Sequence, residues 1–333
     1  MTTLQSSLLA LALATGAISV ANLHAPRATK AAGLEWINGI DNAKSVAKAS
    51  DKPILLLSMF GNIDEDMPCA NARTMRAALF PTPEFQEFAK NEVVLAWEKV
   101  RNVPHVTIEI DGKVTKRTVR GNAVLYLCNS DGKVLDVFPG QYAKEDLLPA
   151  IRETLKLTGG KSDADVIAYH KELGNSAVAR AMSITSSKAF VESPSLSLFE
   201  APYESEMMTM AQPPKPGASE DEVLKYRFEL AAAGLQDISL RPRPAKELVA
   251  EMLPRGKEMT PAQRGEAMRK QDSANNIKFV RPVIHLYLGT QRKLPTTLEA
   301  REVVLEKILK VPYKDPNWGL GEIELSGTPN VGK

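Results

Sequence analysis

The run Pro-Ile-Leu-Leu-Leu-Ser-Met-Phe, residues 53–60, does most to restrict the fold of this chain. An almost unbroken apolar run of this length predicts a central strand buried on both faces, so other elements must cover both sides of its sheet. The neighbouring segments can do that. Residues 41–50 have the period of a short amphipathic helix, residues 67–80 return to helical character, and residues 82–91 set Phe85 and Phe88 on one helical face. Residues 92–100, Glu-Val-Val-Leu-Ala-Trp-Glu-Lys-Val, form a second strand, and strand, helix, strand in this order implies a parallel pair. Two further pairs of strand-like runs follow, each joined by an Asp-Gly turn, Asp111-Gly112 and Asp131-Gly132, the signal of a hairpin. Residues 143–160 close the unit as a helix stopped by Gly159-Gly160. The fold class expected is α/β over residues 34–160.

Beyond residue 160 the chain is expected to form a mostly helical region, 161–333. Helix starts are marked by Ser162, by a capping box of Ser219 with Glu222, by Thr260-Pro261 with Gln263, and by Thr296 with Glu299. Residues 186–217, rich in Ser, Pro and Met, carry no sustained period and read as an irregular segment. In the last helix Leu298, Leu305, Ile308 and Leu309 are expected on one docking face, and Trp318 can anchor the tail.

Composition excludes several functions. Lys and Arg total 42 against 40 acidic residues, and no basic block is interleaved with aromatics, so no nucleic-acid partner is expected. Two cysteines, Cys69 and Cys128, cannot build a disulfide framework, and no spacing of Cys and His suggests a zinc site; neither metal nor cofactor is expected. Residues 1–21 have the apolar run and the Ser-Val-Ala end of a signal peptide, followed by a polar linker over 22–33. They predict export to the periplasm or the medium, and no other stretch is long enough to span a membrane.

The chemistry-bearing stretch is Gly-Asn-Ile-Asp-Glu-Asp-Met-Pro-Cys-Ala-Asn-Ala-Arg-Thr-Met-Arg, residues 61–76, between the central strand and the helix that follows. A cysteine at a helix start feels the partial positive charge there, and Arg73 at i+4 adds to it; Asp64, Glu65 and Asp66 oppose both. The ordered set of Lys52-Pro53-Ile54-Leu55-Leu56-Leu57, a helix opening with Pro68-Cys69, the Asp131-Gly132-Lys133 turn and Gly140 resembles the thioredoxin-like family over residues 34–160. That resemblance implies a CxxC motif, reduced here to Asp66-Met67-Pro68-Cys69, and a proline beside it where this chain has Ala123. The dithiol is therefore absent. Cys128 lies five residues along a strand from Ala123, about 16 Å away at strand rise, too far to pair with Cys69; it reads as a small buried hydrophobe. His170 and His285 fall on apolar helical faces as core residues, His24 and His105 are expected exposed, and Met207, Met208 and Met210 read as docking residues of the irregular segment. Two functions stand: a non-redox binding or scaffold module in the cell envelope with an unknown protein partner, or a monothiol thiol-disulfide or peroxide redox enzyme using Cys69, with Arg73 assisting.

Overall fold

The computed structural model describes residues 27–118, 121–185, 214–215, 217–240, 266, 269–270 and 272–318. Eight strands are β1 (Ala28–Ala31), β2 (Leu34–Asn38), β3 (Ile54–Phe60), β4 (Val94–Arg101), β5 (His105–Ile110), β6 (Lys113–Thr118), β7 (Ala123–Cys128) and β8 (Val134–Pro139). Six form one mixed sheet in the order β1-β2-β4-β3-β7-β8, and β5 with β6 forms a separate hairpin. β4 runs parallel to both β2 and β3, whereas β7 is antiparallel to β3 and to β8. β3 is thus central and every residue from Ile54 to Phe60 is buried, as the unbroken apolar run predicts.

Helices α1 (Ile40–Ser50), α2 (Ala70–Ala78), α3 (Pro83–Asn91) and α4 (Lys144–Thr158) connect and cover these strands. α3 opens with Pro at its first position and buries Phe85 and Phe88 in one aromatic cluster with Phe80 and Trp36. Both Asp-Gly turns form; Asp111 and Gly112 take φ of 50° and 75°, the pair of left-handed residues that a two-residue hairpin turn needs.

The later helices are α5 (Asp163–Thr185), α6 (Glu220–Leu240), α7 (Arg281–Gly289), preceded by a π-helical turn at Asn276–Val280, and α8 (Thr297–Glu302), continued by a π-helical segment at Val303–Ile308. They share one hydrophobic core with the sheet: Ile284, Leu286, Leu288, Leu305 and Trp318 belong to the same cluster as Leu56, Val124 and Val137. Pairing puts Ser58 and Phe60 on one face of the sheet with Glu98. There Ser58 donates to Glu98 at 3.0 Å, Arg301 donates to the same carboxylate at 3.2 Å, and the Phe60 ring meets Tyr313 and Trp318.

Three expectations need correction. The linker placed at 22–33 contributes β1 from Ala28, an edge strand turned back on β2 through Ala32 and Gly33, whose φ values are positive. Leu298 does not share the docking face of Leu305 and Ile308: it is 64% exposed. The change to π-helix at Val303 adds residues per turn and moves the faces out of the phase that a 3.6-residue period assigns. The third concerns the start of α2 and is described with the site. The Thr260 cap, Met207, Met208, Met210, His24 and the proposed signal segment lie outside the described residues, as does nearly all of the irregular segment.

Candidate functional site

Cys69 is the N-cap of α2, in extended conformation, one residue before the helix begins at Ala70. Its N–H donates to the Phe60 carbonyl at 3.0 Å, tying the cysteine to the end of the central strand. Its thiol is fully buried and donates to the Asn122 carbonyl at 3.2 Å. Burial pushes the Cys69 thiol above its ordinary value. The backbone at Ala72, Phe60 and Asn71, and more weakly the charge of Arg73, pull the other way and do not prevail.

Side chains lock the loop above the thiol. Asn71 Nδ2 donates to Asn122 Oδ1 at 2.5 Å, and the same oxygen accepts from the Ala123 N–H at 2.8 Å. Gln141 Nε2 donates to the Asn71 carbonyl at 2.5 Å, and Asn276 Nδ2 donates to the Gln141 carbonyl at 2.7 Å, so residues from β8's end and the C-terminal region brace the same point. Gly121 has φ of +76°, and a Cβ there would stand 3.2 Å from Cys69 Cβ and 3.3 Å from Phe60 Cβ. Only glycine combines that backbone with so close an approach.

The helix does not open with Pro68-Cys69, as the sequence predicts: it begins at Ala70, so Asp66 and Cys69 do not share its first turn. Asp66 is exposed in the bend before the helix, Pro68 is buried beside Cys69, and the residue three places into the helix from Cys69 is Ala72. Ala123 opens β7, buried and paired with Met59. Arg73 lies in the first turn of α2, its N–H bonded to the Cys69 carbonyl at 3.1 Å. Cys128 pairs with Ile54 at the far end of β7, and both cysteines are free and buried. The sequence reading missed Asn71, Gly121, Asn122 and Gln141; an Arg-Gly-Asn step just before a buried strand was the available signal.

A second polar cluster joins β8 to α4, α5 and α7. Asp136 is wholly buried and takes two bonds from the Arg281 guanidinium, at 2.5 and 2.7 Å, one from Thr154 at 2.8 Å and one from the Val137 N–H at 2.7 Å. Burial alone would raise this carboxyl; the Arg281 charge and hydrogen bonds overcome it and hold it well below the usual carboxylate range. Arg281 also lies over the Phe138 ring at 4.4 Å. His170 Nε2 donates to the Leu135 carbonyl at 2.7 Å, which leaves Nδ1 of the neutral ring to accept from His285 Nδ1 at 2.8 Å. Burial lowers both histidines, and Arg281 lowers His285 further.

Asp136, His170 and His285 bring potential ligand atoms within 4.8 Å of one another. The arrangement does not suit an ion. Both carboxylate oxygens are held by a guanidinium that would repel a cation, and the two facing nitrogens share a proton at 2.8 Å. Two nitrogens bound to one tetrahedral zinc would stand about 3.3 Å apart. The cluster is a closed hydrogen-bonded tie between sheet and helices. An acid inside the apolar run Val-Leu-Asp-Val-Phe-Pro and an arginine inside Phe-Val-Arg-Pro-Val-Ile were its sequence signals, since neither charge is buried without a partner.

Comparison with family models, curated proteins and solved structures finds no match to this chain. Among the described residues no helix is long and apolar enough to cross a membrane.

Proposed function

We propose that the chain is a thioredoxin-like module that has lost the dithiol and acts as a non-redox binding or scaffold protein of the cell envelope, exported by its N-terminal apolar segment. The order β2-β4-β3-β7-β8, with β7 antiparallel to both of its neighbours, β3 and β8, and a helix opening at a cysteine after the central strand, supports the family reading. The chain departs from that pattern between β4 and β7, where the hairpin of β5 and β6 stands in place of a crossover helix. The single observation that carries the non-redox reading is the Cys69 thiol, fully buried and donating its hydrogen to Asn122. A thiol held as a donor is stabilised in its unreactive form, because exchange requires the thiolate.

The second reading is a monothiol redox enzyme, and one observation favours it: Cys69 caps a helix whose Asn71 and Ala72 backbone groups, with Arg73, favour the anion. In that reading the Cys69 thiolate attacks a disulfide sulfur, expels one thiolate and leaves a mixed disulfide for an external thiol to resolve. Incubating native protein with glutathione disulfide and weighing it intact separates the two. The scaffold reading expects no adduct on Cys69 until the protein is unfolded; rapid adduct formation on the folded protein would overturn it.

A further inference from the structure

Among the described residues, the hairpin of β5 and β6 is a two-stranded sheet that packs extensively on no other helix or strand. Its root is held by His105, whose Nε2 donates to the Met67 carbonyl at 3.0 Å. Ile108, Ile110 and Val114 are 44%, 65% and 60% exposed. An isolated two-stranded hairpin is marginal in water and gains stability from a third strand. A hairpin edge with exposed β-branched residues is a ready template on which another strand can pair.

The register identifies the pairing edge. Because Ile110 and Lys113 close the two-residue turn, alternation along the ladder turns the backbone groups of His105, Thr107 and Glu109 outward on β5, and those of Val114, Lys116 and Thr118 outward on β6. Antiparallel self-pairing of β6 about Lys116 sets Lys116 against Lys116 of the second copy, and like charges directly opposite are destabilising. Lysine on an edge is also a common guard against such pairing. β5 behaves differently. Pairing about Thr107 sets His105 opposite the second copy's Glu109, twice by symmetry, and Val106 opposite its Ile108. Val106, Ile108 and Ile110 share one face, so two copies form a continuous apolar stripe with three side chains from each.

We infer that β5 is a homodimerisation edge, pairing with β5 of a second copy about a two-fold axis at Thr107 to make a four-stranded sheet. Such a contact is self-complementary, as a two-fold interface must be. It does not depend on the Cys69 thiol, so its failure and that of the scaffold reading are read from different residues.

Sedimentation equilibrium of the full chain, from micromolar to sub-millimolar concentration, tests it. The wild type should approach twice the 36.4 kDa monomer mass. Ile108→Lys and Glu109→Lys should hold it at the monomer mass, and Lys116→Glu on the other edge should leave dimerisation unchanged. Thr107→Cys should cross-link two chains under mild oxidation, while Lys116→Cys should not. A wild type that stays monomeric across the range overturns the proposal, and protection of the hairpin amides by an added polyglutamate peptide would then assign the edge to another protein's strand. A dimer that survives both β5 substitutions, or is lost with Lys116→Glu, overturns it equally.

Discussion

Arg281→Met removes the cation from the most buried ion pair among the described residues and leaves Asp136 with a charge and no counterion. Asp136 is fully buried and the Arg281 side chain is 10% exposed. Breaking such a pair from one side costs about 3 to 5 kcal/mol, since the remaining ion stays desolvated. Loss of the guanidinium over Phe138 adds to this, by about 0.5 to 2 kcal/mol. Against a total stability of about 5 to 15 kcal/mol for a folded domain, the loss is a large fraction. Urea unfolding followed by circular dichroism measures it, with Arg152→Met as control. The Arg152–Glu92 pair has side chains 51% and 33% exposed, so that substitution should cost less than about 1 kcal/mol. The pH dependence carries a sign. In the wild type Asp136 is depressed, so its contribution is present above the unfolded carboxyl value of about 3.9 and is lost as pH falls through the lower folded value. In the variant the bonds from Thr154 and the Val137 N–H remain, but without the guanidinium burial outweighs them and raises the carboxyl, so acid neutralises it early and the deficit shrinks as pH falls. An Arg281→Met loss within about 1 kcal/mol of the control, or a deficit that grows in acid, would refute the assignment of this pair as the tie between β8 and α7.

His170 and His285 are both lowered in the folded state, so stability should be complete above the unfolded histidine value of about 6.5 and fall in acid by about 1.4 kcal/mol per pH unit for each. Unfolding midpoints measured across this window should lose most of that slope in a His170→Gln, His285→Gln double variant. Gly121→Ala should destabilise by about 1 to 3 kcal/mol and speed alkylation of Cys69, because the added Cβ meets Cys69 and Phe60 at a positive φ; an unchanged unfolding midpoint would refute the close approach. Ala72→Cys should form a disulfide with Cys69 under mild oxidation, since an N-cap and the third helical residue stand at about the 5.5 Å Cα separation that a bridge requires. Intact mass showing two free thiols at these positions would contradict the helix start at Ala70.

What could be read from the sequence was local. The apolar runs of β3 and β4, the Asp-Gly turns, the Phe85 and Phe88 face and the Thr296 and Glu299 box all depend on neighbours a few residues apart, and each forms. β1 was hidden because Ala28–Ala31, Ala-Thr-Lys-Ala, lacks β-branched density and owes its form to pairing with β2. Leu298 was misassigned because a change of helix type leaves no periodic trace. The Cys69 cradle joins residues 53 positions apart and the Asp136 tie residues 145 apart. Sequence could flag Asp136 and Arg281 as charges needing partners, but only the packing of α7 on β8 makes them partners to each other.

The non-redox function depends on the state of one thiol. The alkylation rate of Cys69 in Cys128→Ala protein, followed from about pH 6 to pH 10 in native buffer and again in denaturant, measures it directly. The buried thiol bonded to Asn122 predicts native rates far below those of the unfolded chain, with no inflection under the free-cysteine value of about 8.5. Native rates matching or exceeding the unfolded ones, with an inflection near pH 7 or lower, would show an accessible thiolate and contradict the non-redox reading.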